Sequence, residues 1–342
     1  MLGHNGSHDS KLEVHDLRVT YASGHRALTA VSGVSLAVPA GQTLGIVGES
    51  GCGKSTLAKA IVGLAPVTAG RIALDGADCT AIRKRESLQF RRAVQMVFQD
   101  PYGSLSPRMT VGGMLTEVLA THKLATRQGR RAEAARVLGL VGLSEQDLDK
   151  HPHQFSGGQR QRIAIARALC VQPEVVINDE VTSALDASAQ ARVLNLLKRL
   201  QRELRLSYVF ISHDLATIRY MSDQIAVMYL GRIVEYAPTA DLFATPKHPY
   251  TRALIDSIPA FGGDLVTAPL AGEVPDPARP PQGCRFHTRC PVGPLADPTR
   301  QICIESDPQA EATDRPHRTA CHFATTKEDS WAIASPPPLS SA

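Results

Sequence analysis

The stretch "GESGCGKST", Gly48 to Thr56, decides the fold. It fits the pattern G-x-x-x-x-G-K-[ST], and its neighbours supply the setting that pattern needs. "TLGIVG" before it is a short apolar run that reads as a buried strand, and "KSTLAKAIVGL" after it has helical spacing. Between strand and helix, Gly48, Gly51 and Gly53, with Glu49, Ser50 and Cys52 among them, let the backbone curl. Successive N–H groups then converge on phosphate oxygens, and the helix start adds positive potential. Lys54 is placed to reach β- and γ-phosphates, the Ser55 hydroxyl to ligate Mg²⁺, and Thr56 closes the motif. Cys52 reads as a small residue tolerated in the loop, with a redox-sensitive thiol as the sharper alternative.

Phosphoryl transfer also needs a carboxylate on the Mg²⁺ side and a group that polarises water. "EVVINDE" ends an apolar run with two acids, and Asp179 and Glu180 take these two roles. Further out, "KLEVHDLRVTY", "VSGVSLAVPAGQ" and "GRIALDG" read as strands. "SYVFIS" joins "EVVIND" as a continuous apolar run suited to a buried parallel sheet. "QIAVMYLGRIVEYA" reads as a hairpin turning at Gly231–Arg232. From about Pro101 to Gln154 the spacing is helical, "QRQRIAIARALC" is a further helix, and "SAQARVLNLLKRLQREL" is amphipathic. Strands alternating with helices make the core α/β, with the helical stretch as an insertion.

The chain has 342 residues, which suggests two domains, and its 43% apolar content suffices for a core. A net charge of +4 is small for this size and does not argue for nucleic acid. No apolar run approaches the ~18 residues of a membrane span, and the polar N-terminus lacks a signal-peptide pattern. The expected compartment is the cytoplasm, where thiols stay reduced. After about Pro259 prolines recur and periodicity ends; the first ten residues and the tail "ASPPPLSSA" read as disordered.

"FSGGQRQRIAIARAL" places Ser156, Gly157, Gly158 and Gln159 at a second helix start, a hundred residues from the first anion site. With "GESGCGKST", the glutamine of "VFQD" (Gln99), "VVINDE", "SALD" and "ISHD", the order of motifs resembles the ATP-binding-cassette (ABC) ATPases over about residues 11 to 325. The resemblance implies an α/β P-loop NTPase core with an N-terminal antiparallel β subdomain, a helical subdomain at about 100–170 and a Cys-containing C-terminal extension. The ATPase domain would run over 11–258, the extension over 259–325 and a disordered tail over 326–342. It also implies a head-to-tail dimer in which Ser156, Gly157, Gly158 and Gln159 close on the γ-phosphate held by the partner. His213 resembles the switch histidine, Asp186 belongs to the segment linking the two sites, and Gln99 joins Ser55 and Asp179 around Mg²⁺. Tyr21 is where the family stacks a ring on adenine. Phe155, Asn178 and Val181 depart from the family pattern; a buried Asn at 178 would want hydrogen-bond partners.

"QMVFQDPYGSLSPRMTVG", "HPYTRALIDSIP" and "GCRFHTRCP" resemble the oligopeptide/dipeptide importer branch, and the chain looks like the second of its two ATPases. That branch implies a different ATPase as dimer partner, two transmembrane permease subunits, an extracytoplasmic solute-binding protein and a peripheral place on the cytoplasmic face of the inner membrane. A nickel or glutathione importer, or a regulatory ATPase that moves no solute, are the alternatives. Cys284, Cys290, Cys303 and Cys321 are separated by 5, 12 and 17 residues. None forms the close pair usual for zinc; wider spacing suits an iron–sulfur cluster or plain loop thiols. Some members of the branch carry a [4Fe–4S] cluster in this tail, so the resemblance raises that reading, with zinc second. Either way "GCRFHTRCP" is expected to lie on an extension outside the catalytic core.

Overall fold

A computed structural model describes residues 10–23, 26–80, 87–258, 272–308 and 316–324. Residues 1–9 of the start expected to be disordered, residues 259–271 and the tail expected over 326–342 lie outside these residues, whereas the Pro-rich stretch at 275–283 lies within them and Ser10 already belongs to the first strand. The chain opens with β1 (Ser10–Ser23), β2 (Arg26–Pro39) and β3 (Thr43–Val47), followed by α1 (Lys54–Ile61). Then come β4 (Ala69–Leu74), β5 (Ala77–Asp78), α2 (Ser87–Ala93), β6 (Val94–Val97), α3 (Pro101–Ser104), α4 (Val111–Thr121), α5 (Arg130–Leu140) and α6 (Gly157–Leu169). The second half carries β7 (Val175–Asp179), α7 (Ala187–Leu204), β8 (Ser207–Ile211), α8 (Leu215–Met221), β9 (Gln224–Tyr229) and β10 (Arg232–Pro238). It closes with α9 (Thr239–Ala244), α10 (Pro249–Asp256), α11 (Ile302–Glu305) and β11 (Arg318–Thr319).

The strands form two sheets. One is antiparallel, ordered β2-β1-β4-β5, and the other is seven-stranded, ordered β11-β10-β9-β3-β8-β7-β6. Strands β9, β3, β8, β7 and β6 run parallel, and β10 and β11 add antiparallel at one edge. Every residue of β3, β7 and β8 is buried, as expected of strands covered on both faces. Alternation along β7 sends Val175 and Ile177 into one core with Leu57 and Ile61 of α1 and Val14, Leu17 and Val34 of the antiparallel sheet. Val176 goes into the other core, with Tyr208, Phe210 and the apolar faces of α4 to α7. The two-sided core explains why these strands read as unbroken apolar runs.

The hairpin β9–β10 turns one residue earlier than its sequence suggests, at Leu230–Gly231. Both residues have positive φ, 42° and 81°. A two-residue turn of that hand matches the twist of the flanking strands, and Gly231 makes the sequence pay little for it. Among the elements missed in sequence, α2, β6, α8 and α9 are short, and their four to seven residues hold too few turns or alternations to show a period. A larger correction concerns the C-terminal extension. It is not set apart from the catalytic core: β11 joins the edge of the main sheet, pairing Glu235 with Thr319 and Tyr236 with Arg318. Cys284, Phe286, Cys290 and Cys303 lie in the same core as the helical region.

Candidate nucleotide site

The phosphate loop leaves the buried end of β3 and enters α1 at Gly53, whose φ of 107° is left-handed and whose missing Cβ would stand 2.3 Å from the Ala30 carbonyl. Only glycine fits there. The Lys54 ammonium is buried and donates to the Gly48 and Glu49 carbonyls at 2.7 and 2.9 Å. It is thereby held inside the loop's curve. Cys52 is buried in the loop, and burial pushes its thiol up from the usual range. A protonated, covered thiol is a poor redox centre, which favours the small-residue reading over the redox one.

Strand alternation that hides Val176 on one face brings Asp179 out on the other, beside α1. The Ser55 hydroxyl donates to Asp179 Oδ1 at 3.1 Å. Burial pushes the Asp179 carboxyl above its ordinary value; the Ser55 bond and the Lys59 and Lys54 charges oppose this, and Glu180 adds to it. A carboxylate with a serine hydroxyl beside it is an all-oxygen donor set of the kind Mg²⁺ prefers, so these residues fit that ion.

Glu180 follows with φ of 49°, a left-handed conformation that costs a non-glycine residue about 1–3 kcal/mol and recurs at functional sites. Its N–H donates to the Ile211 carbonyl at 3.0 Å, which pins the strained residue to the neighbouring β8. The carboxylate receives the Gln99 side-chain amide at 2.9 Å and stands 3.6 Å from His213 Nδ1. Gln99, Glu180 and His213 come from three segments that follow the adjacent strands β6, β7 and β8. The parallel sheet therefore gathers them at one end, where such folds place their ligands.

Ser156, Gly157, Gly158 and Gln159 sit elsewhere. Ser156 caps α6 by accepting the Gln159 N–H, and Gln159 Oε1 accepts the Ser156 N–H in return. The Gly157 and Gly158 positions face Leu185 and Ala189, so this helix start shares a cleft with Asp186, which caps α7 through the Ala189 N–H. The cleft includes no residue of the phosphate loop. Tyr21 is half-exposed on β1, opposite Leu28.

Two segments read from sequence for their likeness to the importer branch, without a role for Tyr250 or Arg289, meet the phosphate loop. The Tyr250 hydroxyl accepts the Glu49 N–H at 2.9 Å. The Arg289 guanidinium forks onto the Glu49 carboxylate, Nη1 to Oε2 at 2.7 Å and Nη2 to Oε1 at 3.0 Å. No periodicity announces a pair 240 residues apart.

The four extension cysteines are free thiols. Burial pushes Cys284 and Cys290 up to about 12 and Cys321 up to about 11, and each of the three also feels other thiols of the set. The Cys284 N–H donates to the Cys303 carbonyl at 2.9 Å, which ties these two segments together. Yet among the described residues no group of three or more His, Cys, Asp or Glu side chains is arranged to hold a metal ion. The expected [4Fe–4S] cluster finds no support in this arrangement, and neither does zinc.

Known proteins share this arrangement of segments. The family described as ABC transporter matches residues 31–183, and the oligopeptide/dipeptide transporter C-terminal region matches 234–294. The di/tripeptide transport ATP-binding protein DppF of Pseudomonas aeruginosa is 46% identical over 88% of this chain and 92% of its own length. The oligopeptide transport ATP-binding protein AppF of Bacillus subtilis is 45% identical over 86% and 89%. Among solved structures, a dimeric bacterial ABC transporter cassette, MJ0796, superposes with a TM-score of 0.61 at 29% identity, over 67% of this chain and 98% of that one. Among the described residues no helix is long and apolar enough to cross a membrane.

Proposed function

The chain belongs to the ABC transporter family, and from that premise we propose that it is the ATP-hydrolysing subunit of a peptide importer. The observation that carries this reading is the Gln99–Glu180–His213 group, gathered beside the Ser55–Asp179 pair at the mouth of the phosphate loop. Glu180 is the group that polarises the attacking water, with Gln99 and His213 orienting its carboxylate. Ser55, Asp179 and Gln99 would hold Mg²⁺, which supplies charge neutralisation on the β- and γ-phosphates. The loop amides and Lys54 bind those phosphates, and Tyr21 offers a ring for the adenine. Ser156, Gly157, Gly158 and Gln159 serve a second subunit's nucleotide, because they share a cleft with Asp186 and not with their own phosphate loop.

Residues 11–258 act as the ATPase unit and 259–325 as the importer-type extension. Peptide is the favoured solute because the relatives above are named for di-, tri- and oligopeptides. The working assembly pairs this chain with a second, different cassette, two permease subunits and an extracytoplasmic binding protein, at the cytoplasmic face of the membrane. The test is uptake of labelled dipeptide, nickel and glutathione in cells with the chain, without it, and with Glu180→Gln. Dipeptide uptake should be lost in the last two, and purified Glu180→Gln should lose ATPase activity by at least about a hundredfold. Loss of nickel or glutathione uptake alone would reassign the solute, and undiminished ATPase activity would remove Glu180 from its role.

A further inference from the structure

The phosphate loop is gripped from the far end of the chain. Glu49, its second residue, is held at three points. Lys54 donates to its carbonyl, the Tyr250 hydroxyl accepts its N–H, and Arg289 forks onto its carboxylate. Arg289 is 5% exposed and Glu49 26%, so this is a largely desolvated pair rather than a surface contact. The bond to Glu49 raises the guanidinium further above its usual value.

The grip has a firm base. Phe286, three residues before Arg289, packs against Tyr229 and Tyr250 with ring centroids 5.3 and 5.4 Å apart. Arg285 donates to the Leu230 carbonyl and, at 2.8 Å, to the Ser32 hydroxyl. Gly231, in the same turn as Leu230, donates its N–H to the Cys52 carbonyl at 2.8 Å. The extension thus reaches the loop both through Glu49 and through the β9–β10 turn.

A carboxylate in a loop built for phosphate opposes its own ligand unless it is neutralised. A two-point guanidinium fork neutralises it and also fixes its direction. We propose that Arg289 is a positioning residue for nucleotide binding: it cancels the Glu49 charge and holds the phosphate loop in shape, making ATP affinity depend on the C-terminal extension. The proposal rests on Gly48–Thr56 being the ATP site.

The test is steady-state ATPase of the assembled transporter, with calorimetric Mg·ATP titration of the full chain. Arg289→Gln should raise the KM and the Kd for ATP about tenfold while kcat stays within about twofold. Arg289→Lys, which keeps the charge but not the fork, should fall between. Adding Glu49→Gln to Arg289→Gln should recover most of the lost affinity, because the uncancelled charge is gone. A merely structural role predicts instead no recovery in the double variant and equal damage from Arg289→Lys; that pattern overturns the proposal. If Arg289→Gln does not fold, Arg289→Lys carries the same KM reading, and an unchanged KM there is the overturning result. A wild-type chain that binds no ATP overturns both the proposal and the site reading beneath it. A wild-type chain that binds ATP, with an Arg289→Gln of equal affinity, overturns the proposal alone.

Discussion

Asn178 stands one residue before the Asp179 carboxylate, wholly buried, with both amide atoms lacking partners. A buried asparagine there needs hydrogen-bond partners, and among the described residues its side chain has none. Alternation puts it on the face of Val176, against the helical core, while Asp179 faces Ser55. A buried polar group left unpaired costs about 1–3 kcal/mol. Asn178→Ala should therefore leave the thermal midpoint unchanged or raise it, whereas Ile177→Ala, next to it and also fully buried, should lose about 2–5 kcal/mol. Thermal unfolding of the two variants checks the contrast, and a large loss in Asn178→Ala would mean that the amide is satisfied after all. At this scale the side chains that meet around the phosphate loop were legible, because Lys54, Ser55, Asp179 and Glu180 fall in short contiguous motifs. The left-handed Glu180 was not, since a φ angle leaves no trace in residue type unless the residue is glycine.

At the scale of elements, α10 is the instructive case. His248 caps it by accepting the Tyr250 N–H at Nδ1, 3.1 Å away, and Pro249 fills the first helical position. The ring is buried. The Glu235 carboxylate beside it accepts the His248 N–H at 2.9 Å and pairs with His317 at 2.7 Å. Burial pushes His248 down from 6.5 to about 4, against the pull of Glu235. The unfolded chain therefore takes up the proton first. The cap's contribution is complete above pH 6.5 and fades as the pH falls toward about 4, by up to about 3 kcal/mol. His248→Asn keeps a cap acceptor but no titrating ring, so its unfolding midpoint should vary less between pH 6.5 and 5 than the wild-type one. Equal slopes would exclude His248 as the source. Long elements such as β1, β2 and α7 were readable from period alone. Helix α10 was quoted only for its likeness to a family, because its eight residues owe their place to the tyrosine they carry rather than to a pattern.

At the scale of the whole molecule, the helix start at Ser156 is exposed and lies in a cleft apart from the chain's own phosphate loop. The α/β core and the antiparallel sheet were legible because parallel strands covered on both faces leave unbroken apolar runs. The union of the extension with the core was not, because no sequence pattern announces long-range contacts such as Arg289 to Glu49 and Arg285 to Ser32. A second cassette should complete the site. With Glu180→Gln blocking hydrolysis, Mg·ATP should shift the chain, alone or mixed with a second ABC cassette, from monomer to dimer in light scattering. Replacing Ser156 by a bulky residue should abolish the shift. An ATP-independent dimer that tolerates that replacement would remove Ser156 from the interface.

Strand β11 contributes only two residues, but their place at the outer side of β10 matters beyond their number. An uncovered strand offers a row of free N–H and C=O groups to any passing chain. Ala320 donates its N–H to the Val234 carbonyl, so the last described segment occupies the groups β10 would otherwise present. Residues 316–324 thus act as a selvedge on the sheet. A protein clipped before them would lose more than a tail, since it would carry a sticky margin on which copies could stack.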